Sequence, residues 1–335
     1  VAARGRRIAL LGLLLSLSLL QACATLDPQW SAYKARFLDG GRIVDTGNRG
    51  VSHSEGQGWG MLFAEAHGDR QAFDRLWDWT RSHLQRDDLA LFAWRFDPAA
   101  TDPVADRNNA SDGDVLIAWA LLRAAQRWQE PSYADASAAI RQAIAEQLLR
   151  THAGYRVLLP GLVGFERDEQ LVVNLSYLVV PAFQAFALQE PDGDWQRLVE
   201  DGERLLAGAR FGAHALPPDW LAVDRDGTLA PAEGWPPRFG FDAVRVPLYH
   251  YWGGMPASDS KLAPFTAFWR CCETPHAWVD LRSGELSPYP ASTGVRAIGA
   301  LLEGAAAPVE NGNEDYYSAS LALLAALARD DRQPR

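Results

Sequence analysis

Three short polar segments hold the residues whose types and spacing could do chemistry. The first, Ser52-His53-Ser54-Glu55-Gly56-Gln57-Gly58-Trp59-Gly60-Met61, sets a carboxyl at the start of a run that soon turns apolar. Ser52 and Glu55 have the spacing of a helix capping box, so a structural duty competes with a chemical one. Glycines in the first turns weaken a helix by up to ~1 kcal/mol each relative to alanine, which implies a close approach of the backbone to something. A carboxyl beside Trp59 in a partly dry cleft suits a general acid. The second segment, Asn108-Asn109-Ala110-Ser111-Asp112-Gly113-Asp114, opens an apolar run to Trp128. Ser111 or Asp112 can cap a helix there and Asp114 suits its first turn, yet the segment carries more polar side chains than a cap needs. In the third, Phe241-Asp242-Ala243-Val244-Arg245-Val246-Pro247, Asp242 and Arg245 are three apart and share a helical face. They read as a structural ion pair or as a base held ionised by its arginine.

Other chemistries lack their residues. The seven histidines, at 53, 67, 83, 152, 214, 250 and 276, form no H-E-x-x-H or other short metal pair. Gly56, Gly58 and Gly60 follow no strand, which argues against a phosphate loop. No G-x-S-x-G elbow occurs. Paired carboxyls can supply both proton transfers of a hydrolysis, so neither metal nor organic cofactor is expected. The formal charge of −10 argues against duplex nucleic acid, whose phosphates need a basic footprint. The chain has 13 tryptophans, whose flat faces suit stacking on pyranose C–H faces. Most should be core; about three or four should line a groove. Trp94, Tyr177, Trp220, Trp252 and the Tyr316-Tyr317 pair are the aromatic candidates.

These residues need a frame of helices. Apolar periodicity predicts helices near 29–39, 55–68, 70–84, 112–129, 132–150, 174–189, 192–208, 241–253, 258–271, 292–306 and 314–330. Val115, Ala118, Trp119, Leu122 and Ala125, for example, make one apolar face. A strand is expected at Tyr155–Leu159 and a hairpin at Ala222-Val223 and Thr228-Leu229 around Asp226-Gly227. There is no βαβ alternation and no low-complexity linker. Helices arriving in pairs suggest one all-α toroid with function in the loops at one end; a helical solenoid is the alternative. Cys271 and Cys272 are adjacent, a strained geometry for a bond, and read as free, mostly buried thiols.

Arg4, Arg6 and Arg7 precede an apolar run, Ile8–Leu20, then Leu20-Gln21-Ala22-Cys23. This pattern predicts a secretory signal over 1–23, removed from a single domain over 24–335. The run is short for a membrane span; an uncleaved anchor is the alternative. Leu-Gln-Ala-Cys is similar to a lipobox and would leave Cys23 lipidated. Ala22-Cys23-Ala24 competes as an ordinary cleavage site. Export to the periplasm, lipid-anchored or free, or secretion is expected, with the lipid as sole membrane contact.

The segment Ala110 to Trp128 resembles, without a gap, the signature of glycoside hydrolase family 8: A-S-D-G/A-D, an Ile/Met-Ala step and a closing Trp. Ser54–Met61 is similar to the family's S-E-G-Q-S/G-Y/W-G-M segment and Phe241–Arg245 to its Y-D-A-x-R segment. The likeness extends to the periplasmic endoglucanases encoded beside bacterial cellulose synthase, which share the Ala-Cys pair, a Trp-containing first helix and the Gly41–Asp45 segment. The resemblance implies an (α/α)6 barrel and inverting hydrolysis of internal β-1,4 bonds of cellulose by a monomer. It implies Glu55 as general acid, Asp242 as general base, Asp112 as the residue that binds and distorts the sugar, and Arg245 as support for the base. Trp94, Tyr177, Phe241 and Tyr317 become groove contacts. The implied partners are a β-1,4-glucan and the cellulose synthesis and export machinery. Chitosan or xylan cleavage, or an accessory subunit that binds glycan with little turnover, are the alternatives. Two departures stand out: Phe241 replaces a usual Tyr, and Asn174-Leu175-Ser176-Tyr177 replaces N-P-S-Y, which puts that loop's geometry in question.

Overall fold

The computed structural model describes residues 27–309 and 312–333. The expected signal segment and Cys23 lie outside the described residues. Eleven α-helices are described: α1 Pro28–Phe37, α2 Ser54–Ala66, α3 Arg70–His83, α4 Ser111–Trp128, α5 Pro131–Gln147, α6 Val180–Gln189, α7 Trp195–Gly208, α8 Val246–Trp252, α9 Ala263–Trp269, α10 Thr293–Leu302 and α11 Tyr316–Arg332. Each matches an expected segment. The expected spans 174–189 and 241–253 each begin instead with a single 3-10 turn, Leu175–Tyr177 and Ala243–Arg245. The reason is proline: Pro181, Pro247 and Pro264 stand at the first positions of α6, α8 and α9 and set where each α-helix starts. Among the described residues no helix is long and apolar enough to cross a membrane.

Helices α2, α4, α6, α8, α10 and α11 touch in that order and close back on α2. Outside them, α1 packs on α11, α3 on α2, α5 on α4, α7 on α6 and α9 on α10. The chain is an all-α (α/α)6 barrel, a toroid and not an open solenoid, with short strands in the loops. The expected strand is there, Tyr155–Leu158, paired with Leu149–His152, so α5 ends before residue 150. The expected hairpin is also present, with Val223 opposite Leu229. Gln170–Val173 and Glu166–Arg167 extend it to a four-stranded antiparallel sheet. Neither strand alternates, since Glu166–Arg167 is exposed at both positions and Leu171–Val173 is buried throughout, so no period of two marks them in the sequence.

Two capping expectations fail. Ser52 is not a helix cap: it lies in a strand, donates to the Ile43 carbonyl at 2.6 Å and accepts from Arg42 at 3.0 Å. Helix α2 starts after His53 with no side-chain cap, and α4 starts after Ala110 likewise. The glycines of α2 have a packing reason. A Cβ at Gly58 would fall 2.5 Å from Leu116 Cβ on α4, one at Gly60 2.7 Å from Ile43, and one at Gly56 against the Tyr316 hydroxyl of α11. The expected close approach is therefore that of neighbouring helices and of the Arg42–Ile43 strand. Cys271 and Cys272 are free as expected, but exposed, because they sit in the loop beyond α9 and not on its packed face.

Candidate active site

The three polar segments meet at the N-terminal ends of α2, α4 and the turn before α8. At their centre is Arg245, 3% exposed. Its Nη1 contacts the Glu55 carboxyl and lies 3.7 Å from Asp112; its Nη2 donates to Asp242 at 2.8 Å and to Ser176 Oγ at 3.0 Å. The Arg245 guanidinium also lies 5.7 Å from the Trp59 ring. Trp59 is thus beside the site but wholly buried, its N–H donating to the Tyr249 hydroxyl at 3.2 Å, and it offers no face to a cleft. Three acids share one cation, and each reaches it from a different inner helix or its leading turn.

Two of them, Asp112 and Asp242, have their proton affinities pushed upward. Burial raises Asp112 to about 7, against the Gly113 N–H that its carboxyl accepts at 2.8 Å. Asp242 is raised well above the usual carboxylate range, first by burial, then by the neighbouring Asp219 and Asp112 carboxyls. This corrects the expectation that Arg245 keeps Asp242 ionised: Arg245 is shared among three acids, and burial with two negative neighbours outweighs it. Asp114 is also raised to about 7 by burial. It does more than favour a helix dipole: its carboxyl accepts from the Phe92 N–H at 2.9 Å and from Asn109 Nδ2 at 2.7 Å, while Asn109 Oδ1 accepts from Leu162 N–H at 2.8 Å. Asp114 thereby ties the Asp112 turn to two adjoining loops.

Asp219 escaped the reading of the sequence. It is buried, and its Oδ1 accepts from the N–H groups of Gly240, Asp242 and Ala243 at 2.9, 3.1 and 2.8 Å. It therefore sets the backbone that aims Asp242. The available signal was an acid locked behind Pro217-Pro218 and in front of Trp220. Asn174 was also passed over as a single residue. Its Oδ1 accepts from the Ser176 N–H and Oγ at 3.0 and 2.7 Å, closing the Leu175–Tyr177 turn despite leucine in place of proline.

The aromatic candidates divide. Trp94 is partly exposed; its N–H donates to Asp106 at 2.8 Å, its carbonyl accepts from the Ser54 N–H at 3.0 Å, and His53 stacks on it at 5.9 Å. Tyr177 meets the edge of Trp220 at 6.1 Å and lies near Asp112 and Asp242, while Trp220 stacks with Trp235 and Phe165. Phe241 is 45% exposed, and the Tyr317 hydroxyl donates to its carbonyl. Trp252 and Tyr316 are buried: Trp252 packs on Trp119 at 5.0 Å and lines a cavity with Glu65, Arg123 and Asp331 that none of the three acids reaches, and Tyr316 fills the space above Gly56. Among the described residues no group of acids, histidines and cysteines is arranged to hold a metal ion.

The likenesses to known proteins agree with one another. The model of "Glycosyl hydrolases family 8" matches residues 3–331. A probable endoglucanase of Novacetimonas hansenii is 47% identical over 309 residues, 90% of either chain. The solved structure of an endo-β-1,4-glucanase from an Achatina fulica gut metagenomic library superposes with a TM-score of 0.88 at 44% identity, covering 91% of this chain and 98% of that one. The endo-β-1,4-glucanase CMCax from Acetobacter xylinum gives 0.84 at 45% identity, covering 90% and 97%. A family match over almost the whole chain, on a barrel that brings the Glu55, Asp112 and Asp242 segments to one arginine, places this protein in family 8 of the glycosyl hydrolases.

Proposed function

We propose that the chain is an inverting endo-β-1,4-glucanase that hydrolyses internal bonds of cellulose. The observation that carries this reading is the convergence of Glu55, Asp112 and Asp242 on Arg245. Glu55 acts as general acid and protonates the glycosidic oxygen. Asp242 acts as general base and activates a water on the opposite face of the sugar. Asp112, buried and holding its proton to about pH 7, donates to a sugar hydroxyl and helps distort the ring at the scission point. Arg245 orients the acids, and Trp94, Tyr177, Phe241 and Tyr317 hold the flanking sugars. The chain is exported by its N-terminal signal, with cleavage before Cys23 leaving that cysteine lipidated, and acts as a monomer on β-1,4-glucan beside a cellulose synthesis and export machine. The endoglucanase relatives support the substrate class.

The test is hydrolysis of carboxymethylcellulose and NMR of cellopentaose products. Glu55→Gln and Asp242→Asn should each lose nearly all activity, and the first product formed should be the α-anomer. Wild-type rates in either variant, or a β-anomer first, refute the roles.

A further inference from the structure

The hairpin over residues 277–290 presents two aromatic side chains that none of these roles uses. Phe239 pairs with Val279 and Arg238 with Asp280. Phe239 and Val279 are 0% and 1% exposed, so alternation along the strands puts them inward and sends Trp278 and Arg238 to the outer face. Trp278 then lies against the same cation as Phe241: the Arg238 guanidinium is 5.1 Å from the Phe241 ring and 5.9 Å from the Trp278 ring. Since Phe241 immediately precedes Asp242, a strip runs outward from the catalytic carboxyl through the exposed Phe241 and the half-buried Arg238 and Trp278 to Tyr289, itself 46% exposed.

The strip is rigidly built. The Ser287 N–H donates to the Trp278 carbonyl at 3.0 Å, and Ser287 Oγ accepts from the Ala277 N–H at 2.8 Å and donates to the Tyr289 carbonyl at 2.5 Å. The Trp278 N–H donates to the Tyr289 hydroxyl at 3.0 Å, which fixes the ring's angle. Of the thirteen tryptophans, Trp94 and Trp278 belong to neither apolar cluster of the fold. Both are partly exposed, with the indole N–H held by a neighbour. Core packing therefore does not account for Trp278.

We infer that Trp278 and Tyr289, with Arg238 between Trp278 and Phe241, form an outer subsite for a β-1,4-linked pyranose residue. The aromatic faces take the sugar's C–H face, and the guanidinium and the tyrosine hydroxyl take its equatorial hydroxyls. The inference rests on the glucanase reading above. Its test separates the two. Calorimetry on Glu55→Gln and on Glu55→Gln/Trp278→Ala, with cellohexaose and cellotetraose, measures binding without turnover. The second change should weaken cellohexaose about tenfold relative to cellotetraose, equivalent to ~1.4 kcal/mol. Trp278→Phe should restore most of that preference, and Tyr289→Ala should lower it in the same direction. Equal loss on both sugars, or no loss on the longer one, overturns the subsite. Wild-type inactivity on carboxymethylcellulose would reject the glucanase reading and leave the binding comparison to decide the subsite by itself.

Discussion

At the scale of the residue, the site depends on how tightly its buried acids hold protons. Asp242 must be ionised to serve as base, yet burial, Asp219 and Asp112 all raise it. A raised carboxyl loses its proton at higher pH, so kcat/KM of the free enzyme should climb with pH along a limb above the ordinary aspartate value of 3.8. Asp219→Asn removes the nearest negative charge while keeping an oxygen for the three N–H groups. It should move that limb toward acid, and a pH-rate profile of both proteins reads it directly. An unmoved limb would mean that Asp219 acts on Asp242 through backbone position alone. The Asp242–Arg245 pair was legible from an i, i+3 spacing. That the same arginine also serves Glu55 and Asp112 was not, because those contacts join residues well over a hundred positions apart.

At the scale of the element, α2 shows why its glycine-rich start is more than a weak helix. Gly58 lies where a Cβ would meet Leu116 Cβ at 2.5 Å, backed by the α4 main chain. Gly58→Ala gains helix propensity but forces two inner helices apart, and overpacking of this kind costs roughly 1–3 kcal/mol. Because the displaced helices carry Glu55 and Asp112, activity should fall together with the urea midpoint. A stable and fully active alanine variant would show that the contact is readily relieved. Asp114 makes the complementary case. Asp114→Ala strands the Phe92 N–H and the Asn109 amide, both buried, at a cost of about 1–3 kcal/mol for each unsatisfied group. Chemical denaturation should show a loss of that order. The sequence marked the polar cluster before α4, but which of its members act on substrate and which tie loops together is set by the chain segments that fold over it.

At the scale of the whole molecule, buried groups of opposite sign shape stability with pH. His53 and His250 are held to about 4 by burial, so they contribute stability above pH 6.5 that is lost as pH falls toward 4. Asp112 and Asp114, raised to about 7, contribute stability below about pH 4 that is lost as pH rises through 7. The two sets oppose each other across the acid range, and above pH 6.5 the carboxyls alone still titrate. Tm should therefore fall between pH 6.5 and 8 in a scan at constant ionic strength; a rise would contradict the buried state of these acids. The sequence by itself determined the helical class, the eleven helical segments, the short hairpin and the three acid-bearing segments, since apolar period and local motif are properties of neighbouring residues. Only the tertiary structure decided that the helices close into a ring, that Trp59, Trp252 and Tyr316 are core while Trp94 and Trp278 face outward, and that Asp219 sets the backbone at Asp242. Those outcomes depend on contacts between segments distant along the chain, and on burial, which raises Asp242 where its sequence neighbour Arg245 alone would have lowered it.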